Sequence, residues 1–107
     1  MININEYLLS KNNSNINTEN YVEIGDLLYI EYERTYIFYK VDDISNECIS
    51  VTKIETDFNE EKGEYVPGKI RINLGKRVRY NRYGDLEMVW NGHIKQVKIY
   101  TKDTHLK

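Results

Sequence analysis

The sequence has no alanine, a single proline, a single cysteine and two histidines. Alanine is the strongest helix former, so its absence beside thirteen isoleucines and ten tyrosines favours β-strands. One cysteine cannot form an internal disulfide, and the strand-like neighbours of Cys48 favour a partly buried, unreactive thiol. No apolar run approaches the roughly 20 residues that a membrane span needs, and no secretory signal is evident. We therefore expect a cytoplasmic protein without membrane contact.

Groups that carry catalysis or bind metals are also scarce. One cysteine and two histidines cannot supply the four ligands of a structural zinc site, and no acidic run has the spacing of a calcium loop. The six glycines are scattered, so no phosphate-binding loop is present. His93 follows a predicted turn and His105 lies in the tail, so both are expected to be exposed and free. We predict a protein that is not an enzyme and that holds no metal or cofactor.

A length of 107 residues suits a single domain. Asn3 and Glu6 have the spacing of a capping box, which indicates a short N-terminal helix. Asparagine-rich stretches favour loops, because their side chains compete for backbone hydrogen bonds. The predicted segments within residues 1–107 are a helix over 1–11, an asparagine-rich linker over 12–20, a β-sheet over 24–101 and a tail over 102–107.

From Ile24 onward, apolar residues recur at every second position, as in half-buried strands. If Arg34 and Thr35 form a tight turn, the two flanking strands have one almost purely apolar face and one acidic, aromatic face. On the second face, Tyr36 and Phe38 are expected to be exposed. The predicted apolar face comprises Leu28, Ile30, Tyr32, Ile37, Tyr39 and Val41.

Further along, a third strand is predicted over Cys48–Glu55 and an exposed acidic loop over Thr56–Gly68. Residues 69–74 alternate strictly, so they are predicted to form a half-buried strand with Ile70, Ile72 and Leu74 on its inner side. Gly75 then permits a bulge or sharp bend.

The strongest local signal is Asn91-Gly92, a dipeptide that supplies the positive φ angles of a two-residue hairpin turn. The turn predicts four facing pairs, which are Trp90 with His93, Met88 with Lys95, Leu86 with Val97 and Asp85 with Lys98. The predicted apolar side of this hairpin comprises Leu86, Met88, Trp90, Val97 and Ile99. We predict a mainly β (α+β) domain with a five- to seven-stranded antiparallel sheet, either an SH3-like or OB-like barrel or an open sheet beneath the helix.

Charge is strongly polarised along the chain, although the net charge is only −2. Residues 1–41 sum to −3, residues 42–64 to −6 and residues 65–107 to +7. Clusters of one sign attract partners of the other sign, which concerns association and not the fold. The charge pattern therefore offers two candidate binding surfaces, and it does not determine the oligomeric state.

The basic candidate has cations that can follow a phosphate backbone and rings that can stack on bases. Its residues are Lys69, Arg71, Lys76, Arg77, Arg79, Tyr80, Arg82 and Tyr83. Its alternatives are a solvated strand face or a protein contact, because the sequence pI of about 5.7 is low for a dedicated nucleic-acid-binding protein. The acidic candidate, whose carboxylates could substitute for phosphates in a cationic groove, comprises Asp57, Glu60, Glu61 and Glu64. Its alternative is a loop that only maintains solubility.

In general character the chain resembles the small inhibitors that phages and mobile elements use against host defence, in particular the anti-CRISPR proteins that inhibit type II Cas9. The resemblance covers its size, its bias toward AT-rich codons, the linker, the strand-rich region and the acidic segment Asp57–Glu64, and it carries over no functional residue. It implies a host bacterial cytosol and a protein partner, Cas9 or its guide-RNA complex, whose nucleic-acid-binding surface or assembly is blocked. A nucleic-acid-binding module using residues 69–83 is the alternative, and a structural or toxin–antitoxin protein using Tyr36 and Phe38 is a third.

Overall fold

A computed structural model describes residues 21–45 and 48–107, and it contains seven strands and no helix within those ranges. The strands are β1 (Leu27–Tyr32), β2 (Thr35–Ile44), β3 (Ile49–Asn59), β4 (Glu64–Tyr80), β5 (Leu86–Trp90), β6 (His93–Gln96) and β7 (Lys98–Tyr100). They form one antiparallel sheet in the order β6-β5-β4-β3-β2-β1-β7. The predicted antiparallel sheet is confirmed. The predicted helix and linker, residues 1–20, lie outside the described residues.

The sheet is nearly closed into a barrel, because its two edge strands are consecutive in the chain. β6 pairs with β5, whereas β7 pairs with β1. Between them lies Val97, which is buried and whose amide donates to the Leu86 carbonyl at 2.9 Å. The chain turns at this residue from one end of the sheet to the other. The predicted continuous strand after the Asn91-Gly92 turn is therefore wrong beyond Val97, and Lys98 lies opposite Tyr29 instead of Asp85.

The inside of this curved sheet holds the main hydrophobic core. Both predicted apolar faces point into it, and Val22, which precedes β1, adds a fully buried side chain. Tyr32 and Trp90 pack against its margin with ring centroids 4.1 Å apart. The buried members are Val22, Leu28, Ile30, Ile37, Tyr39, Val41, Ile44, Ile49, Val51, Val78, Leu86, Met88 and Val97.

The turn between β1 and β2 consists of Glu33 and Arg34, both with positive φ, at 45° and 67°. The predicted turn is thus one residue too late, and Tyr32 lies opposite Thr35. This error shifts the predicted cross-strand partner of each β1 residue by two positions along β2, so every side chain keeps its predicted face. The Asn91-Gly92 turn has positive φ at both residues, as predicted, and the pairs formed by β5 and β6 match the prediction.

The opposite face of β1, β2 and β3 carries a second apolar cluster, which we call the outer cluster. Phe38 lies at its centre with 0% of its surface exposed, and Tyr36 is half-buried, so their predicted exposure is wrong. Leu106, in the tail that follows β7, belongs to this cluster, and its carbonyl accepts from the Tyr65 amide at 2.6 Å. Six rings contact one another here with centroids 5.1 to 6.3 Å apart, and they are Tyr29, Tyr36, Phe38, Phe58, Tyr65 and Tyr100.

The predicted acidic loop over Thr56–Gly68 is mostly strand. β3 continues to Asn59 and β4 begins at Glu64, so only residues 60–63 form a turn. The Asn59 carbonyl closes this turn by accepting from the Gly63 amide at 2.8 Å. The acidic residues are compatible with a hairpin because Phe58 and Tyr65 face each other across the ladder and their rings make contact.

β4 contains the largest irregularity of the sheet. Between Thr52 and Thr56 of β3 the chain advances four residues, whereas the paired stretch of β4, from Pro67 to Gly75, advances eight. The surplus is accommodated by two bulges, one on each side of Arg71. The bulge expected near Gly75 is therefore present, and β4 runs through it without ending.

Candidate functional site

Three of the four predicted acidic site residues lie together at the end of the β3–β4 hairpin. Asp57 is exposed on β3, and Glu60 and Glu61 are exposed in the turn. Glu64 differs, because only 12% of its side chain is exposed and its Oε1 lies 2.6 Å from Nδ1 of His105. Glu64 is therefore directed toward the C-terminal residues, and its predicted role as an accessible partner-binding residue does not fit this geometry.

The C-terminal residues differ from their predicted state. His105 contacts Glu64, so its predicted freedom is wrong, although its ring is largely exposed. Thr101 and Thr104 form a local turn in which the Thr104 amide donates to the Thr101 carbonyl at 3.0 Å. This turn and the burial of Leu106 hold the tail against the outer cluster.

The predicted basic residues fall on β4 and on the turn that follows it. Two of their guanidinium groups are already paired with carboxylates. Arg71 Nη1 lies 2.9 Å from Asp42 Oδ1, and Arg79 Nε lies 3.4 Å from Glu87 Oε1. These surface pairs are weak but reduce the cationic charge available to a polyanion.

The two predicted stacking tyrosines have different environments. Tyr80 packs against the main core, and burial raises its pKa above the ordinary value. Its ring therefore has an internal structural role. Tyr83 is 67% exposed, and the Arg82 guanidinium lies 5.0 Å from its ring centroid and donates to its hydroxyl at 2.9 Å. Only Tyr83 of this pair presents a ring to solvent.

The most unusual surface is one that the sequence misassigned. Ile70, Ile72 and Leu74 are 64%, 37% and 53% exposed, so the predicted strand is present but the predicted burial of its apolar side is wrong. We call these three residues the aliphatic stripe. They lie at alternate positions of the bulged stretch of β4, and neither hydrophobic cluster of the described residues includes them. Alternation could not have revealed this, because it indicates which side of a strand is apolar but not whether another segment packs onto that side.

Within the described ranges, one side of β4 has no neighbouring strand over most of its length, although the Tyr65 amide near its start donates to the Leu106 carbonyl. β3 pairs with β4 from Glu64 to Val78, but β5 pairs only with the last three residues, from Val78 to Tyr80. On the side away from β3, residues 64–77 therefore have no strand neighbour in the part of the chain that the structure describes. We call this side the free edge of β4.

Glu55, on β3, bonds the backbone of β4 near the start of the free edge. Its Oε1 accepts from the backbone amides of Lys69 at 3.2 Å and Ile70 at 3.4 Å. The carboxylate passes over Gly68, where a Cβ would overlap the Glu55 side chain. Glycine at this position therefore allows Glu55 to bond both amides and to hold the first bulge.

Reactive groups are few in the described ranges. No group of three or more His, Cys, Asp or Glu side chains that could hold a metal ion is found among those residues. Cys48 is half-buried just before β3, and its sulfur lies 3.7 Å from the Ser45 hydroxyl oxygen. Over residues 21–45 and 48–107 there is no helix long and apolar enough to cross a membrane.

Comparison with known proteins assigns no relative. No protein-family model, no curated protein and no solved structure matches this chain.

Proposed function

We propose that this chain is a non-catalytic binding protein that acts by covering a surface of another protein. The observation that carries the proposal is the aliphatic stripe, three exposed aliphatic side chains rimmed by charged residues on the free edge of β4. Exposed apolar groups with a polar rim are typical of protein-interaction sites, since their burial on binding is favourable.

The partner suggested by the general character of the chain is Cas9 or its guide-RNA complex. The exposed carboxylates of Asp57, Glu60 and Glu61 at the end of the β3–β4 hairpin support a contact with a cationic nucleic-acid groove. They belong to the same hairpin as the aliphatic stripe, so one element supplies both an acidic end and an apolar side. Glu64 is left out of this contact because it faces His105.

Size-exclusion chromatography of the purified chain with Cas9, with and without guide RNA, tests the partner. Ile70→Thr with Leu74→Thr should abolish co-elution, and Glu60→Lys with Glu61→Lys should weaken it in a salt-dependent way. Ile94→Thr is the matched control, because Ile94 is a similarly exposed aliphatic residue on β6. Glu31→Lys is the control for charge reversal, because Glu31 is exposed on β1, which pairs with β2 and β7 and not with the hairpin.

The outcomes separate the parts of the proposal. Absence of a complex with either form of Cas9 would exclude this partner. A complex that survives loss of the aliphatic stripe would contradict the stripe as the binding surface. Measured turnover of a substrate, abolished by changing one side chain, would contradict the non-catalytic assignment.

Nucleic-acid binding is the second candidate, and Arg77 together with the Arg82–Tyr83 stack supports it. Arg77 is exposed and makes no ion pair with a described residue, so it can approach a phosphate. The candidate predicts oligonucleotide affinity that falls steeply with salt and drops further in Arg77→Ala. The pairing of Arg71 and Arg79 and the inward position of Tyr80 make this candidate the weaker one.

The order of the strands also bears on the type of barrel. An SH3-like barrel is favoured over an OB-like one, because β1 to β6 neighbour one another in chain order, whereas an OB-fold is a Greek key.

A further inference from the structure

The free edge of β4 combines two features that proteins usually keep apart. An unpaired edge exposes backbone amides and carbonyls that can bond another strand, and natural proteins protect such edges with charges, proline and bulges. Pro67 and the bulge between it and Arg71 protect its first part, and the second bulge lies between Arg71 and Gly75. The stretch after Arg71 still carries Ile72 and Leu74, so backbone groups and apolar side chains are offered together.

The charge of this edge selects among the strands that could pair with it. No aspartate or glutamate occurs between residues 65 and 84, while six lysines and arginines do. Three of these cations, Lys69, Lys76 and Arg77, flank the aliphatic stripe without an ion pair to a described residue, whereas Arg71 is paired with Asp42. A second copy pairing along the same edge would bring two such sets of three together, and like charges facing across strands are destabilising.

We propose that the free edge of β4 accepts one extended segment of a partner protein, with alternating aliphatic and acidic residues, as an added antiparallel strand. The inference rests on the proposed function and names the chemistry and binding mode of the partner. In strand addition, backbone hydrogen bonds supply affinity and the alternate side chains supply specificity.

The geometry sets where the added strand lies. The amides of Lys69 and Ile70 are bonded to Glu55 on the β3 side, so the new ladder begins at Arg71. It ends before Val78, because from Val78 to Tyr80 the same side of β4 is paired with β5. These seven residues, spaced about 3.3 Å apart, give a ladder about 20 Å long. Aliphatic residues of the partner segment then face Ile72 and Leu74.

A synthetic peptide of seven residues, alternating valine and glutamate with blocked ends, serves as the probe. Its binding to the full chain is followed by fluorescence anisotropy and by backbone amide shifts in two-dimensional NMR. We expect saturable binding with the largest shifts in residues 71–77. Ile72→Thr with Leu74→Thr should weaken it at least about tenfold, equivalent to about 1.4 kcal/mol. Ile94→Thr should leave it unchanged within about twofold.

Two matched peptides separate strand addition from simpler contacts. A version methylated at alternate backbone nitrogens keeps its side chains but cannot form the ladder, and it should lose binding. A version with lysine in place of glutamate should also lose binding, because its charges match those of the edge.

Four results would overturn the inference. They are no saturable binding up to about 1 mM, equal binding of the methylated peptide, equal binding of the lysine peptide, and a homodimer that Ile72→Thr with Leu74→Thr dissociates. The first three leave the proposed function standing, since a partner could still cover the stripe without adding a strand. Retained Cas9 binding by the stripe variants would instead contradict the proposed binding surface, whatever the peptides do.

Discussion

Replacing Gly68 by alanine tests whether Glu55 holds the bulge that shapes the free edge of β4. A Cβ at this position would overlap the Glu55 side chain and lie 2.6 Å from its carboxyl carbon, so Glu55 must move. That movement breaks the hydrogen bonds from the amides of Lys69 and Ile70, which measure 3.2 and 3.4 Å. The predicted effect is a loss of stability caused by one specific displaced side chain.

The magnitude follows from two opposing terms. Hydrogen bonds to a charged group contribute about 1.5–3 kcal/mol each in favourable settings, and since these two are long and partly exposed, we expect about 1–2 kcal/mol for the pair. The φ of Gly68 lies outside the left-handed region, so alanine alone should stabilise by about 0.4–1 kcal/mol through the unfolded chain. Gly68→Ala should therefore destabilise by about 1 kcal/mol. In a Glu55→Ala background, which removes the obstructing atoms, the same change should be neutral or slightly stabilising.

Urea denaturation followed by the fluorescence of Trp90, the single tryptophan, gives the free energy of unfolding for the four proteins of this cycle. The expected coupling free energy is about 1–2 kcal/mol. Gly75→Ala is the matched control, because a Cβ there would meet only the Val51 carbonyl oxygen, at 3.8 Å. If Gly68→Ala has the same effect in both backgrounds within about 0.3 kcal/mol, Glu55 does not hold the bulge.

Three further changes test other parts of the molecule. Phe38→Ala should lower the free energy of unfolding by about 3–5 kcal/mol, because the ring is fully buried, whereas Phe58→Ala should have a much smaller effect since Phe58 is 51% exposed; equal losses in urea denaturation would contradict the outer cluster. Burial raises the pKa of Tyr80 above its ordinary 10.0, so the unfolded chain loses this proton first as the pH rises. Stability should be unaffected by this group below about pH 9 and should fall above about pH 10 by up to about 1.4 kcal/mol per pH unit, a contribution that Tyr80→Phe removes; an unchanged alkaline slope in that variant would refute the assignment. Glu33→Asn with Arg34→Gly should raise stability by about 1–2 kcal/mol, seen as a higher Tm, because both residues have positive φ; an unchanged or lower Tm would mean that the turn is not strained.

The local pattern of the sequence was sufficient for the strands and their faces. Alternation placed Leu28, Ile30 and Tyr39 on the core side even though the first turn was misplaced, because an error of two positions in pairing preserves the face. Asn91-Gly92 specified its hairpin fully, since few dipeptides adopt two consecutive positive φ angles without strain. By contrast, Glu33 and Arg34 carry no such signal, so their turn could not be located from the residues alone.

The candidate site was only partly accessible to the same reasoning. The exposed carboxylates at Asp57, Glu60 and Glu61 were found, because they are simply charged residues near a turn. Glu64 was misjudged, since the residue that it contacts, His105, lies 41 positions away. The aliphatic stripe was assigned to the interior, because alternation indicates which side of a strand is apolar but not whether anything covers that side.

The sequence by itself determined the class of the fold, the direction of its apolar faces and the segregation of its charge, because these depend on residues close together in the chain. Tertiary structure decided the rest. It closed the sheet through the bend at Val97, buried Phe38 beneath Leu106 and left Ile70, Ile72 and Leu74 in solvent. Each of these outcomes depends on which distant segment reaches a given surface, and that is set by ladder register and strand length across the whole sheet.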